Sequence, residues 1–219
     1  MTVAAVILSA TADGAVADAD GMPRVRRLAD TAWAGGAIPV IVVAPDPDGD
    51  VAEALAGSEA TLVTPADPVL GPAGQIARGI RAATEAVGGT DAALVWPARL
   101  CWADAETLTS LIEAHGREPG AIRRPAWRDD AGWPALVPVR ALPSLDEVAA
   151  DRMPDEVLAD LTAAGFAAVL HDLGDPGTVI DAGTPRSELP PYEGPAEPVS
   201  DHHHEWGASV SGPAPDRPR

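Results

Sequence analysis

The chain has 219 residues, enough for one domain with an ordinary core and some excess. Its formal net charge of -18 argues against nucleic acid and anionic membranes as partners, because the long-range field repels phosphate. All 15 basic residues are arginine, so every phosphate contact must come from a guanidinium, a backbone N–H or a helix N-terminus.

Thr2–Leu8 is an uncharged, β-branched run and predicts a first buried strand. Its short apolar stretch and the lack of a basic start fit neither a leader peptide nor a membrane span. With Cys101 as the only cysteine, a reducing cytoplasmic setting is expected. Ser9–Gly21 is a turn of small and acidic residues. Pro23 suits the first turn of a helix that buries Val25, Leu28 and Ala32 and stops at Gly35–Gly36. Ile38–Ala44 predicts a second strand, Pro45–Asp50 an acidic turn, Val51–Ala56 a short helix and Ala60–Val63 a weak third strand. Gly71–Gly74 opens a helix carrying Ile76, Ile80, Ala83 and Val87 on one face, ended by Gly88–Gly89.

Ala92–Trp96 is a buried-strand pattern, and Asp104 offers an N-cap to a helix bearing Leu108, Leu111 and Ile112. Between them lies the turn Pro97–Ala103. Ala121–Trp127 and Trp133–Val139 predict two strands joined by the polar turn Arg128–Gly132. Pro154 starts a helix that Gly165 ends, and Phe166–Leu170 and Thr178–Asp181 are strand-like. Alternating strands and helices imply a three-layer α/β/α Rossmann-like sandwich with a mostly parallel sheet. Right-handed crossovers would bring the turns at Ser9, Pro45, Pro65 and Pro97 to one edge, where ligands of open α/β sheets sit. From Glu188 proline, glycine and acid take over, which divides the chain into a domain over 1–189 and a flexible tail over 190–219.

Arg99 puts a fixed cation at the ligand edge. Cys101 beside it needs a nearby base to act as a nucleophile; His115 lies at the far end of the next helix, so packing is the expected role, and a structural role is expected for His171. In the tail, His202-His203-His204-Glu205 presents Zn²⁺ or Ni²⁺ ligands, and Trp206 is an anchor for a protein partner; plain disorder is the third reading.

The succession AAVILSA, DGMPRVRRLADTAWAGGAIPVIVV, GPAGQIARGIRAA, ALVWPARLCWADAETLTSLI, GWPALVP and VIDAGTPRSEL resembles the MobA-like nucleotidyltransferase domain over roughly the first 190 residues. That family joins a nucleotide to molybdopterin and related acceptors. The resemblance implies its nucleotidyltransferase-type fold and a triphosphate site on the loop after the first strand. That loop is here Ser9-Ala10-Thr11, shorter than the family's and without its glycine-rich turn, arginine and lysine. Asp13, Asp18 and Asp20 stand nearby instead; Arg24, Arg26 or Arg27 could reach over from the next helix, and the other reading makes them its solvated face. Gly71, Gly74 and Gln75 align with the turn that contacts the nucleobase. Arg99 replaces the aspartate that ligates catalytic magnesium, and Cys101 stands at the following proline. A guanidinium gives Mg²⁺ no ligand and opposes it by several kcal/mol even at an effective dielectric of about 20. The alternative is that Arg99 stands in for the metal's charge. The terminal Asp-x-Asp is reduced to Asp181 and Gly183, and a Gly-His-Pro of the acceptor side is Gly132-Trp133-Pro134, with Trp96, Trp102 and Trp127 as further fillers of the cleft or core.

These substitutions imply a family member impaired in catalysis that binds a nucleotide (CTP or GTP) or molybdopterin, or serves as a partner subunit in molybdenum cofactor chemistry. The other reading is an active enzyme moving NMP from an NTP to molybdopterin or another phosphorylated acceptor. Arg99 and Asp181 are then the catalytic candidates, with Mg²⁺ a cofactor only if the enzyme is active.

Overall fold

The computed structural model describes residues 2–194. The strand β1 (Thr2–Leu8) sits at the centre of one sheet, flanked in parallel by β2 (Val40–Val43) and β4 (Thr90–Pro97), with β3 (Ala60–Val63) outside β2. β1, β2 and β4 bury almost every side chain, as covered parallel strands must. Beyond β4 the sheet turns mixed: β7 (Ala135–Pro138) pairs antiparallel with β4 and β5 (Ile122–Trp127) antiparallel with β7. Two reversals return β5 to the direction of β4, and β8 (Ala168–Asp172) joins it in parallel. The sheet is therefore mostly parallel, and the carboxyl ends of β1, β2, β3, β4, β5 and β8 share one edge.

The helices α2 (Arg24–Ala34), α4 (Gly71–Ala86), α5 (Ala105–Arg117) and α7 (Pro154–Ala163) cover the sheet, with short α3 (Asp50–Ala54) and α6 (Leu142–Leu145) completing the layers. α2 buries the predicted Val25, Leu28 and Ala32, and α4 the predicted Ile76, Ile80 and Ala83; Val87, expected on the same face, is the half-buried C-cap of α4. Among the described residues no helix is long and apolar enough to cross a membrane.

Four local expectations need correction. Within Ser9–Gly21, a one-turn helix α1 (Ala12–Val16) forms because the Thr11 hydroxyl accepts the Gly14 N–H at 3.0 Å. The turn Arg128–Gly132 contains a two-residue strand β6 (Asp130–Ala131) paired back on β5. Thr178–Asp181 is not a strand. Its β-branched residues follow Asp175-Pro176-Gly177, and the N–H groups of Val179 and Ile180 both turn back to the Pro176 carbonyl. Asp104 occupies the N-cap of α5 without a side-chain hydrogen bond to the helix. The capping acceptor comes from Asp175 instead, as described below.

The tail residues 195–219, including His202-His203-His204-Glu205 and Trp206, lie outside the described residues.

Candidate active site

Three segments meet at the carboxyl edge. The Leu8 carbonyl at the end of β1 accepts the Ala98 N–H at 2.8 Å, which sets Ser9-Ala10-Thr11 beside the turn after β4. Trp96 is fully buried and its Nε1–H donates to the Leu100 carbonyl at 2.6 Å, closing that turn from below. The Arg99 carbonyl accepts the Ala182 N–H at 2.8 Å, and Trp102 Nε1–H donates to the carbonyls of Asp181 and Thr184 at 3.3 and 3.1 Å. The strap 173–194 is thereby laced to the turn, and the two catalytic candidates meet: Arg99 Nη1 lies 3.9 Å from Asp181 Oδ2, with side chains 61% and 53% exposed. The other oxygen, Asp181 Oδ1, accepts the Gly183 N–H at 2.8 Å. So exposed a pair contributes about 0–1 kcal/mol to stability, and its role is electrostatic placement.

Magnesium requires several hard oxygen ligands in near-octahedral order. At the position where the resemblance places it, the structure offers a guanidinium, and the one remaining carboxylate has its oxygens directed to Arg99 and to Gly183. Among the described residues, no three His, Cys, Asp or Glu side chains gather as metal ligands would. This donor set does not fit the ion.

The first loop is packed against itself. Ser9 Oγ donates to the Thr11 carbonyl at 3.0 Å, and the Thr11 hydroxyl is engaged by Gly14. Arg24 is half-buried within electrostatic reach of Cys101, and its Nε is buried with no hydrogen-bond partner among the described residues. Burial pushes the Cys101 thiol upward, and the Arg24 and Arg27 guanidiniums pull part of that back. Cys101 is 2% exposed, and with a raised pKa it is a packing residue rather than a nucleophile. Arg27 lies 5.4 Å above the Trp102 ring, and its Nε–H donates to the Ala19 carbonyl at 3.0 Å. A cavity of about 280 Å³ opens there, lined by Arg27, Thr31, Trp102, Asp104 and Arg186.

The segment expected at the nucleobase is held by reciprocal bonds. Gln75 Nε2 donates to the Ala66 carbonyl and Gln75 Oε1 accepts the Ala66 N–H, both at 2.9 Å. Gln75 therefore braces the loop after β3. Gly71 has φ +60°, and a Cβ there would collide with the Ala150 carbonyl. Gly74 packs against the Leu70 side chain. A cavity of about 180 Å³ lies beside it, lined by Ala66, Leu70, Arg78 and Leu145 among others. Gly71, Gly74 and Gln75 stand together at the start of α4, with Ser9, Ala10 and Thr11 across the edge.

The residue that orders the site was not foreseen. Asp175 is 3% exposed; its Oδ2 accepts the Asp104 N–H at 2.9 Å and the Thr107 hydroxyl at 2.6 Å, and its Oδ1 accepts the Gly177 N–H at 2.8 Å. Burial raises its carboxyl above the usual range, while these donors hold it down. It caps α5 from the strap and so fixes both segments that carry Arg99 and Asp181. Gly177 sits so tightly on the Trp102 carbonyl that a Cβ would clash. The sequence signal was Asp175-Pro176-Gly177, which marks a turn but names no distant partner. Of the remaining tryptophans, Trp133 is buried under Arg124, 5.0 Å from its ring, and Trp127 is half-buried beneath Arg128. They fill core and rim.

The profile of the MobA-like NTP transferase domain matches residues 11–165. The chain belongs to this family. The match ends before β8 and the strap, so Asp181 lies outside it. Among solved structures, a nucleotidyl transferase from Methanothermobacter thermautotroptrophicus (Mth528) is 18% identical, with a TM-score of 0.58 over 77% of this chain and 87% of its own. The 4-diphosphocytidyl-2C-methyl-D-erythritol synthase of Anaerococcus prevotii is 11% identical, with a TM-score of 0.62 over 84% and 91%. Rv0371c from Mycobacterium tuberculosis, solved with manganese, is 15% identical, with a TM-score of 0.58 over 78% and 89%. At such identities these likenesses establish the fold alone: the α/β nucleotidyltransferase architecture. No curated protein matches the sequence at a significant level.

Proposed function

We propose that this member of the MobA-like family binds a nucleotide or phosphorylated cofactor through arginine charge and is impaired in nucleotidyl transfer, serving as a binding or partner subunit linked to molybdenum cofactor chemistry. The observation that carries this reading is the Arg99–Asp181 pair at 3.9 Å, a fixed cation and its counter-ion where two carboxylates would have to converge on a metal. A guanidinium is a planar fork matched to phosphate oxygens, and it holds its charge at every accessible pH. Ser9, Ala10 and Thr11 border the same edge, and Gly71, Gly74 and Gln75 frame the base side. The setting proposed for this subunit is the cytoplasm.

The second reading is an active transferase, favoured by the exposure of Arg99. In that reaction an acceptor phosphate oxygen attacks the α-phosphorus of CTP or GTP, the bond to the β-phosphate breaks, and pyrophosphate leaves with the electron pair. The Arg99 guanidinium would stabilise the charge that develops. Pyrophosphate release, followed with CTP and GTP plus molybdopterin, separates the two. The expected result is release at the level of the protein-free control. Turnover above that control, abolished by Arg99→Ala, would establish the active enzyme.

A further inference from the structure

β5 carries a charge into the body of the sheet. Arg123 is 3% exposed; its Nη2 donates to the Glu118 carbonyl at 2.5 Å and to the Glu118 carboxylate at 3.2 Å. Its Nη1 lies 3.2 Å from His171 Nε2 on β8. A guanidinium can only donate, so His171 Nε2 must carry the lone pair, and the ring is neutral with its proton on Nδ1. From α5, His115 is 1% exposed, and neither of its ring nitrogens has a partner among the described residues; Arg123 Nε is in the same condition. One imidazole thus meets the buried cation directly, and the second lies on α5, which packs against β5 within electrostatic reach of Arg123.

The charged groups facing it are few. From the end of α5 come Arg117, itself 3.8 Å from Glu113, and the Glu118 already named. From β4 comes Asp91, which accepts the Thr2 N–H at 2.9 Å. On β8 the neighbouring Asp172 is exposed and accepts the Gly174 N–H.

We propose that His115, Arg123 and His171 form an acid-released latch that ties β8, and with it the strap bearing Asp175 and Asp181, to the rest of the sheet. Protonating His171 removes the acceptor that Arg123 uses and sets two cations 3.2 Å apart in a part-buried space. His115 adds a second site of the same sense. Burial and then Arg123 depress both histidines, with Asp91 opposing at His115 and Arg117 reinforcing at His171. For a histidine lowered on folding, the contribution to stability is fully present above the unfolded value of about 6.5 and is lost as pH falls from there through the folded value. The chain's remaining charge works the other way, because a protein at -18 loses self-repulsion on mild acidification. Weakening at β8 on acidification thus has a sign opposite to the background. The latch does not depend on which ligand the site takes.

Amide hydrogen exchange at pH 7.5 and 5.5, expressed as protection relative to the unfolded chain, tests it. The expected result is a loss of about tenfold or more in protection for the β8 amides. In a His115→Leu/His171→Gln variant, where glutamine retains an acceptor that does not titrate, the β8 loss should disappear. Undiminished β8 protection at pH 5.5, or the same β8 loss in the variant, would overturn the proposal. The unmutated protein supplies a second check: ¹⁵N shifts of His171 at pH 7 should report the proton on Nδ1, and a proton on Nε2 would contradict the latch.

Discussion

Replacing Asp175 with alanine is expected to lower stability by about 3 kcal/mol, because the Asp104 and Gly177 N–H groups and the buried Thr107 hydroxyl all lose their acceptor. For a domain of this size that corresponds to a fall in melting temperature of about 6–12 °C, read by calorimetry. Asp175→Asn retains one acceptor oxygen and should cost about half as much. A melting temperature within about 1 °C of the parent for Asp175→Ala would show that the strap does not cap α5. The consequence reaches the site, since Arg99 and Asp181 sit on the two segments this carboxylate joins. Ligand affinity should fall along with stability, although Asp175 touches no ligand.

The second large effect is expected at Arg99. Arg99→Ala removes a charge-assisted donor from an exposed edge and should weaken binding of CTP or GTP by about tenfold to a hundredfold, with the melting temperature almost unmoved. Arg99→Asp should weaken it further, since a second carboxylate would face Asp181. It should not restore pyrophosphate release, because the first loop would still present the capped turn Ser9–Gly14 rather than a cradle of glycines and a lysine. Turnover regained by that single substitution would mean that this loop serves triphosphate as it stands.

Much of the architecture was legible because burial writes itself into composition. Thr2–Leu8, Val40–Val43 and Ala92–Trp96 are apolar runs between turn signals, and they form the parallel centre of the sheet. Their order set which turns share an edge and so put Arg99 there, whereas Asp181 was tied to that edge by the family resemblance alone. Thr178–Asp181 misled because β-branched residues favour strands only when the chain is free to extend, whereas Pro176 and Gly177 had already committed it to a turn. The helix Ala12–Val16 was hidden among small residues whose one clue was the spacing from Thr11 to Gly14. Asp104 is a sound N-cap by residue type, yet the cap comes from Asp175, 71 positions away, and no local pattern reports such a partner. Arg123 was illegible for a related reason: a lone arginine in a strand of mixed character looks solvent-facing until β8 is known to pair beside it.

The claim on which the functional account rests is that a guanidinium occupies the magnesium position and does the work of its charge. Calorimetric titration of CTP and of GTP, each with excess Mg²⁺ and with a chelator, measures this directly. The account predicts the same dissociation constant in both conditions for the unmutated protein, and a marked weakening in Arg99→Ala. Binding that tightens by about tenfold or more when magnesium is supplied, and that persists in Arg99→Ala, would contradict it.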